Sequence, residues 1–282
     1  MRYVITGGAG FIGSHLSDLL LALGHEVCIY DNLRSGYKAN LQMDKVEFVL
    51  GDINCTDGLA AALRGADGCF HLAAIARTPW CMEDPILAGL TNSQGTLSVL
   101  EACRQASIKR VVLASSNVVY AAHTPYRASK EMVELWTRCY VESYGLSALA
   151  LRFSNVYGPR QSEEGPSPNV FAAFRKSLRE RGYIEVTGDG EQSRDFTHVS
   201  DIARGLLAAM QSSYTGEAID LCTGKNWTMN EVCELWNKAP VRYIADRPGD
   251  VKHIRQSKER AFKTLGWAAT VDLSAGIKDV MV

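Results

Sequence analysis

The segment Thr6-Gly7-Gly8-Ala9-Gly10-Phe11-Ile12-Gly13 decides the fold. It follows a short β-prone run and opens an apolar helical pattern, which is the arrangement of strand, turn and helix in a dinucleotide-binding βαβ unit. In such a turn Gly7 permits the sharp bend, Gly10 lets the backbone approach a pyrophosphate, and Gly13 allows the helix to pack closely on the strand. The positive end of the helix dipole would face the phosphates. The segment therefore predicts a dinucleotide site, although a glycine-rich turn alone is also common without a ligand.

Outward from this segment, short β-rich runs alternate with helical patterns through the first two thirds of the chain. Strands are predicted at residues 3–6, 26–30, 46–50, 68–72, 110–115 and 148–153, and helices at residues 11–23, 58–64, 85–106 and 126–144. Continuous apolar strands separated by helices indicate a parallel sheet that is covered on both faces. With right-handed crossovers, this is an α/β fold with a doubly wound, Rossmann-like parallel sheet.

The composition changes near residue 158. Residues 161–168 are polar and rich in turn formers, which predicts a loop, and helices are predicted at residues 169–181 and 199–211. We therefore predict a cofactor-binding domain over residues 1–157 and a smaller C-terminal substrate-binding lobe over residues 158–282. Some elements of the lobe are expected to return to the first domain.

The charge and cysteine content argue against several classes of function. The 282 residues include 30 basic and 31 acidic ones, a balance that does not suggest a nucleic-acid or membrane partner. The eight cysteines form no CxxC pair and the six histidines do not cluster, so neither a disulfide framework nor a metal site is predicted. No signal peptide or apolar run of membrane-spanning length is apparent, and the expected location is the cytoplasm.

Two acidic residues follow predicted strands on the adenosine side of the dinucleotide site. Asp31 comes 18 residues after Gly13, where a carboxylate accepts hydrogen bonds from ribose hydroxyls and repels a 2′-phosphate. This favours NAD over NADP, whereas Arg34 argues the other way because an arginine can receive that phosphate. Asp31 could instead be a turn residue. Asp52 is expected beside the adenine, or as the N-cap of a helix.

The residues Tyr126 and Lys130 form a YxxxK motif. Residues four apart lie on one face of a helix, so the Lys130 ammonium can lie near the Tyr126 hydroxyl. A free tyrosine has a pKa of about 10, and a neighbouring ammonium together with an oxidised nicotinamide would lower the pKa of Tyr126. The motif alone is common on exposed helices. It becomes informative with Ser115 and Ser116 at the end of a buried strand before it.

Further motifs accompany these sites along nearly the whole chain. They are His71-Leu72-Ala73-Ala74, Asn92 with Gly95-Thr96, Leu151-Arg152-Phe153-Ser154-Asn155-Val156-Tyr157-Gly158-Pro159, Gly188-Asp189-Gly190, Arg194-Asp195-Phe196, Arg247-Pro248-Gly249-Asp250 and Leu265-Gly266-Trp267. Together they resemble the NAD-dependent epimerase/dehydratase family, the extended branch of the short-chain dehydrogenase/reductase superfamily, and in particular its UDP-sugar 4-epimerases.

The resemblance implies roles for individual residues. Ser116 would hydrogen-bond the reacting sugar oxygen, Tyr126 would exchange its proton, and Lys130 would bind the nicotinamide ribose and tune Tyr126. The residues implied to hold NAD are Gly7, Gly10, Phe11, Ile12, Gly13, Asp31, Asn32, Asp52, Ile53, Leu72, Ala73, Ala74, Asn92, Tyr126 and Lys130. Those implied to bind a nucleotide-diphosphate sugar are Ser116, Asn155, Asn169, Arg194, Arg247 and Asp250, and the arginines suit phosphate oxygens.

The interval from Ser116 to Tyr126 departs from the family pattern. The two residues are ten apart, where the family usually has a longer segment that borders the active site. Either the rim of the site is trimmed in this chain or a flexible stretch is missing from the sequence, and the choice of sugar depends on which. Ile254 falls where 4-epimerases gate the sugar pocket, and Arg77 and Trp80 are expected in the same pocket with Thr78.

The residues after Ser116 bear on the reaction. Family dehydratases have an acidic pair there, whereas Asn117 and Val118 are neither carboxylic acids nor bases. The leading prediction is 4-epimerisation of a UDP-sugar, of the glucose and galactose type or its N-acetyl equivalents. A ketoreductase or dehydratase of the same family is the alternative, and a non-catalytic dinucleotide sensor is a third reading.

The resemblance also implies a homodimer, because family members pair through two helices from each subunit. The matching helices are predicted at residues 85–106 and 126–144. Their apolar surface would come from Leu97, Leu100, Trp136 and Tyr140, unless these side chains face the sheet of their own chain.

Overall fold

A computed structural model describes residues 1–121, 123–163, 169–236, 239–245, 252–254 and 256–281. Within these ranges, parallel strands form one central sheet. Their order across the sheet is Ile219–Leu221 (β10), Ala148–Phe153 (β6), Arg110–Ser116 (β5), Gly68–His71 (β4), Arg2–Thr6 (β1), Glu26–Asp31 (β2) and Glu47–Leu50 (β3). The predicted doubly wound, Rossmann-like sheet is confirmed.

Helices cover both faces of this sheet because its strands are apolar on both sides. Val4 and its neighbour Ile5 point into two different cores, each buried completely. The first core packs against helices Phe11–Ala22 (α1) and Val199–Gln211 (α8), and the second against Thr56–Leu63 (α2), Gly95–Gln105 (α5) and Pro125–Tyr144 (α6). The observed bounds of the six predicted strands and of α1, α2, α6 and α8 differ from the predictions by two residues or fewer.

The helix predicted at residues 85–106 is interrupted. After the short helix Thr78–Glu83 (α3), the chain forms Pro85–Ala88 (α4), a π-helical turn over Gly89–Gln94, and then α5. The Asn92 side chain lies in this π-helical turn and is held by the backbone of Ile75. Its amide oxygen accepts a hydrogen bond from the Ile75 N–H (2.7 Å), and its amide nitrogen donates one to the Ile75 carbonyl (3.0 Å). Such π-turns are frequent at functional sites.

The C-terminal part of the chain forms smaller sheets around a third core, which includes Tyr157, Phe171, Phe196 and Trp236. One sheet has the order Asn226–Thr228 (β11), Ser193–His198 (β9) and Asn155–Tyr157 (β7), and the other pairs Ile184–Thr187 (β8) with Val241–Ile244 (β12). The remaining helices are Val170–Arg181 (α7), Met229–Leu235 (α9), Glu259–Leu265 (α10) and Leu273–Gly276 (α11), with 3₁₀ turns at Lys38–Asn40, Asn117–Tyr120 and Ile277–Val280.

The two halves of the chain are interleaved. α8 packs on α1, and β10 pairs with β6 in the large sheet, although both come after residue 157. Conversely, β7 lies before that residue and pairs with β9 of the smaller sheet. The domain boundary at residue 157 stays a prediction. Of the predicted loop, residues 161–163 are irregular and residues 164–168 lie outside the described residues.

Candidate active site

A cleft of about 1520 Å³ opens over the carboxyl ends of the central strands. It lies where the strand order reverses between β1 and β4, the usual place for a ligand in a doubly wound sheet. Its volume exceeds the roughly 300–1,000 Å³ of a typical ligand pocket, so two ligands can lie side by side. Predicted site residues that line it are Gly7, Gly10, Phe11, Ile12, Gly13, Asp31, Asn32, Asp52, Ile53, Leu72, Ala73, Ala74, Ser116, Tyr126, Lys130, Asn155, Asn169 and Arg194.

The glycine-rich turn after β1 has the geometry that a pyrophosphate needs. Gly7 has a φ of +71°, and a Cβ there would lie 2.6 Å from the backbone nitrogen of Ala73. A Cβ on Gly13 would lie 2.4 Å from the carbonyl oxygen of Gly7. Gly10 is the N-cap of α1 and provides no side-chain cap, so the positive end of this 12-residue helix opens on the cleft. These residues therefore suit the diphosphate of NAD.

Asp31 is a turn residue that also lines the cleft, and its contact with a ribose stays a prediction. Its Oδ1 accepts a hydrogen bond from the Leu33 N–H (2.8 Å) in a local turn, and its Oδ2 accepts one from the Ala9 N–H (3.0 Å). Burial raises the pKa of Asp31, and these two bonds oppose the rise. Each carboxylate oxygen keeps a second lone pair for a ribose hydroxyl. Asp31 thus ties the glycine-rich turn to β2 while it lines the cleft.

Asp52 is not a helix N-cap, because Cys55 precedes α2. Its Oδ1 accepts a hydrogen bond from the Asn54 N–H (2.9 Å), and its Oδ2 accepts one from the Asn32 side chain (3.0 Å). The bond from the Asn54 N–H is the main reason that the pKa of Asp52 is lowered, and Arg34 lowers it further. Asp52, Asn32 and Arg34 all line the same part of the cleft.

The catalytic candidates converge at the end of β5. Ser116 and Tyr126 both line the cleft, and the Ser116 oxygen accepts a hydrogen bond from the Val118 N–H (3.2 Å). Tyr126 lies in the first turn of α6, which begins sharply because Thr124 is the N-cap and Pro125 is the first residue. One turn on, the Lys130 ammonium lies 5.9 Å from the centre of the Tyr126 ring.

Burial dominates the ionisation of both α6 residues. It raises the pKa of Tyr126 to about 12, although the nearby Ser116 side chain opposes the rise. It also lowers the pKa of Lys130 to about 8. The Lys130 ammonium donates a hydrogen bond to the Ala114 carbonyl (2.9 Å). The expectation that Lys130 and an oxidised nicotinamide together lower the pKa of Tyr126 stays a prediction, because the pKa of about 12 describes the polypeptide alone.

The prediction for Asn92 is corrected by the structure. Asn92 is 1% exposed, and its amide bonds the backbone of Ile75 and the hydroxyl of Ser129 (3.0 Å). It therefore lies behind the wall of the cleft and fixes the loop after β4. His71 is also behind the wall, between the hydroxyls of Thr6 (2.8 Å) and Thr96 (3.0 Å), and burial lowers its pKa to about 3.

The substrate side of the cleft comes mainly from the C-terminal part. The Asn155 side chain donates to the Asp195 carbonyl (3.1 Å), and Arg194 donates to the Lys252 carbonyl (3.2 Å). Arg247 and Asp250 lie outside the described residues, so their contacts stay predictions. Other residues expected in the sugar pocket line the cleft as well, namely Arg77, Thr78, Trp80 and Ile254.

The sequence reasoning missed several residues that line the cleft. Arg160, Gln161 and Gln192 belong to it, and no motif marked them. In the described part of the chain, no group of three or more His, Cys, Asp and Glu side chains could hold a metal ion. Across the same residues, no helix combines the length and apolar character needed to span a membrane.

Comparison with known proteins adds to this geometry. The model of the NAD dependent epimerase/dehydratase family matches residues 3–222. The chain belongs to this family. Its predicted NAD dependence is therefore confirmed, as is its assignment as an enzyme.

Relatives in the family match the chain from end to end. The UDP-glucose 4-epimerase of Mycolicibacterium smegmatis is 33% identical over 303 positions, which cover 98% of this chain and 96% of that protein. The structure of UDP-N-acetylglucosamine 4-epimerase from Methanobrevibacter ruminantium, in complex with UDP-N-acetylmuramic acid, has a TM-score of 0.94 and 33% identity, covering 99% of this chain and 96% of that one. UDP-glucose 4-epimerase from Thermus thermophilus, solved with NAD, has a TM-score of 0.89 and 34% identity, covering 100% and 98%.

The match to the Mycolicibacterium smegmatis protein spans 303 positions against the 282 residues of this chain, so that relative has residues without a counterpart here. The short interval in this chain still brings Ser116 and Tyr126 to the same cleft.

Proposed function

We propose that the protein is an NAD-dependent 4-epimerase of a nucleotide-diphosphate sugar, with a UDP-sugar as the substrate. The observation that carries this proposal is the placement of Ser116 and Tyr126 in one cleft, with Lys130 one turn along α6. The pair lines the cleft together with the glycine-rich turn and with Arg194. The 4-epimerase names of its relatives support the same reaction.

Side chains of this protein would remove the proton from the sugar 4-hydroxyl and later return it. With oxidised NAD bound, its positive charge and the Lys130 ammonium would favour the Tyr126 phenolate. The phenolate oxygen would take this proton as the C4–H bond breaks, and the Ser116 hydroxyl would hydrogen-bond the same sugar oxygen. When bound, NAD supplies the acceptor for the hydride from C4 and returns the hydride to the opposite face. Between the two steps, the 4-keto sugar turns about its diphosphate, which Arg194 and Asn155 hold. Tyr126 then returns the proton, so no net oxidation occurs.

The dehydratase alternative needs groups that the site does not place beside Ser116, and the other two alternatives differ in the fate of the cofactor and in turnover. A dehydratase requires an acid or base for the elimination of water, whereas Asn117 and Val118 follow Ser116 and line the cleft. A ketoreductase would release oxidised cofactor after each turnover, and a sensor would bind the nucleotide without turnover. Ile254, 9% exposed, borders the sugar end, and its intermediate size is compatible with glucose-type and N-acetyl sugars.

We test this function with purified protein, without added reductant, by following the sugar protons in NMR. UDP-glucose, UDP-galactose and their N-acetyl counterparts are each supplied, and interconversion of one C4 pair is expected. Tyr126→Phe should lower turnover by about 10²-fold or more while NAD stays bound. Tyr144→Phe makes the same change on an exposed side chain of α6 and should leave turnover unchanged. An active Tyr126→Phe enzyme would remove Tyr126 from its role.

A homodimer is part of the proposal, but its surface differs from the one expected from sequence. Leu100 and Tyr140 are buried in the second core of their own chain. The apolar side chains that α4, the π-turn and α6 expose are Ile86, Leu90 and Leu135, which are 75%, 52% and 54% exposed. Light scattering should give the mass of two chains, and Leu135→Glu should reduce it to one; a monomeric parent protein would refute the dimer.

The proposed location is the cytoplasm. All eight cysteines are free, and Cys55 is exposed as a thiol. A reducing compartment suits this pattern.

A further inference from the structure

A partly buried ion pair lies close to Ser116. The Glu134 carboxylate accepts two hydrogen bonds from the Arg152 guanidinium, at 2.8 and 2.6 Å. It also accepts one from the hydroxyl of Ser115 (2.6 Å), the residue next to Ser116. The two charged side chains are only 14% and 22% exposed. This cluster joins α6 to β5 and β6.

The same arginine also contacts Tyr120, which lies within the short interval that follows Ser116. Arg152 Nη1 donates to the Tyr120 hydroxyl (2.5 Å), and this hydroxyl donates to Asp220 (3.0 Å) on β10. Tyr120 ends the 3₁₀ turn that begins after Ser116. Both ends of this turn are thus connected to Glu134, through Ser115 on one side and through Arg152 and Tyr120 on the other.

Glu134 also follows Lys130 by one helical turn, so the two side chains lie on the same face of α6. The other titratable groups near Lys130 are Tyr126 on the same helix, Cys81 on α3 and His71 on β4. Burial lowers the pKa of Lys130, and Cys81 and Glu134 oppose this change. Cys81 opposes it only as a thiolate, and burial raises its thiol pKa, so Glu134 supplies the negative charge at neutral pH.

We propose that Glu134 is a positioning residue for the epimerisation, which holds the shortened connection through Arg152 and Tyr120 and keeps Lys130 protonated. The expected change in kcat rests on the proposed function. The physical basis of the positioning role is the bidentate geometry of the pair, which fixes direction as well as distance. A shift of about 1 Å in reacting groups can cost about 10²-fold in rate. In this chain, the contacts of Arg152 and Tyr120 would hold the connection after Ser116 in place, as a longer segment at the rim of the site does in other family members.

The test compares Glu134→Gln with Glu131→Gln. Both replace a glutamate of α6 that is paired with an arginine, but the Glu131–Arg127 pair lies at the surface, with Glu131 45% exposed. Glu134→Gln should lower kcat by about 10- to 100-fold with little change in KM. The basic limb of its kcat–pH profile should move to lower pH, because Lys130 loses its proton sooner. Glu131→Gln should change neither quantity.

A second readout does not require turnover. In protein with ¹³C-labelled lysine, the Lys130 signal is identified by its loss in Lys130→Met, and its titration midpoint should move to lower pH in Glu134→Gln only. Tyr120→Phe, which leaves the ion pair intact, should lower kcat without moving this midpoint. If Glu134→Gln does not fold, the double variant with Arg152→Met removes the unpaired charge and should show the same shift.

The outcomes separate the two proposals. If the parent protein converts no sugar but the Lys130 midpoint moves in Glu134→Gln, the proposed function fails and the link from Glu134 to Lys130 stands. If sugar is converted and Glu134→Gln keeps the parent's kcat and midpoint, the positioning role is overturned.

Discussion

Replacement of Gly13 by alanine tests whether the glycine-rich turn binds NAD as the geometry requires. The new Cβ would lie 2.4 Å from the Gly7 oxygen and 2.6 Å from the Gly8 Cα. Both atoms belong to the backbone of the turn, so α1 must move away by about 1 Å, and overpacking of this kind costs about 1–3 kcal/mol. At roughly 2–4 °C per kcal/mol, the Tm should fall by about 2–12 °C.

The displacement of α1 should also weaken the binding of NAD. If it breaks one charged hydrogen bond to the pyrophosphate, worth about 1.5–3 kcal/mol, the Kd for NAD should rise about 10- to 100-fold. Calorimetric titration of nucleotide-free protein measures this, and a thermal scan measures the Tm. Gly89→Ala is the matched control, because a Cβ there meets nothing within 4 Å and Gly89 has a helical φ of −62°. Equal Kd and Tm in the two variants would falsify the reasoning.

Two further predictions concern α6. The folded-state pKa of Lys130, about 8, is below its ordinary value, so its charge destabilises the fold below pH 8, and this penalty disappears as the pH rises to about 10.5. Lys130→Met should therefore raise the Tm at pH 7, with a gain over the parent that shrinks between pH 8 and pH 10 in thermal scans; a constant difference would contradict this. Thr124→Ala removes the bond to the Arg127 N–H (3.1 Å) and should cost about 1 kcal/mol in urea unfolding. Because Tyr126 lies in the first turn of α6, the kcat of Thr124→Ala should fall by a larger factor than its KM rises. An unchanged kcat would count against a role for the helix cap in positioning Tyr126.

The sequence predicted the strands and most helices well because each is an apolar run with clear ends. It failed at residues 85–106, where a tertiary contact between Asn92 and the backbone of Ile75 changes the helix. It left open whether Leu100 and Tyr140 face a partner or their own sheet, because α5 and α6 have apolar residues on more than one face, and the structure buries both in the second core. Family membership and NAD dependence followed from local motifs, and the comparisons confirm both.

Within the site, distance along the chain limited what could be foreseen. The glycine-rich turn and the YxxxK motif are local patterns, and their residues meet as the spacing predicts. Glu134 and Arg152 are joined only because α6 packs on neighbouring strands, and no spacing rule pairs them. The effect of burial on the pKa of Tyr126 could not be foreseen for a similar reason, since the extent of burial is a property of the whole fold.

The late position of β10 and α8 has a consequence for how the chain is made. Leu16 and Leu20 on α1 are buried together with Ile202 and Leu206 on α8, which the ribosome adds almost two hundred residues later. Until then, the nascent N-terminal half exposes an apolar face and an unpaired strand edge, both of which favour aggregation. A gene fragment that stops at residue 157 should therefore not yield a stable nucleotide-binding module.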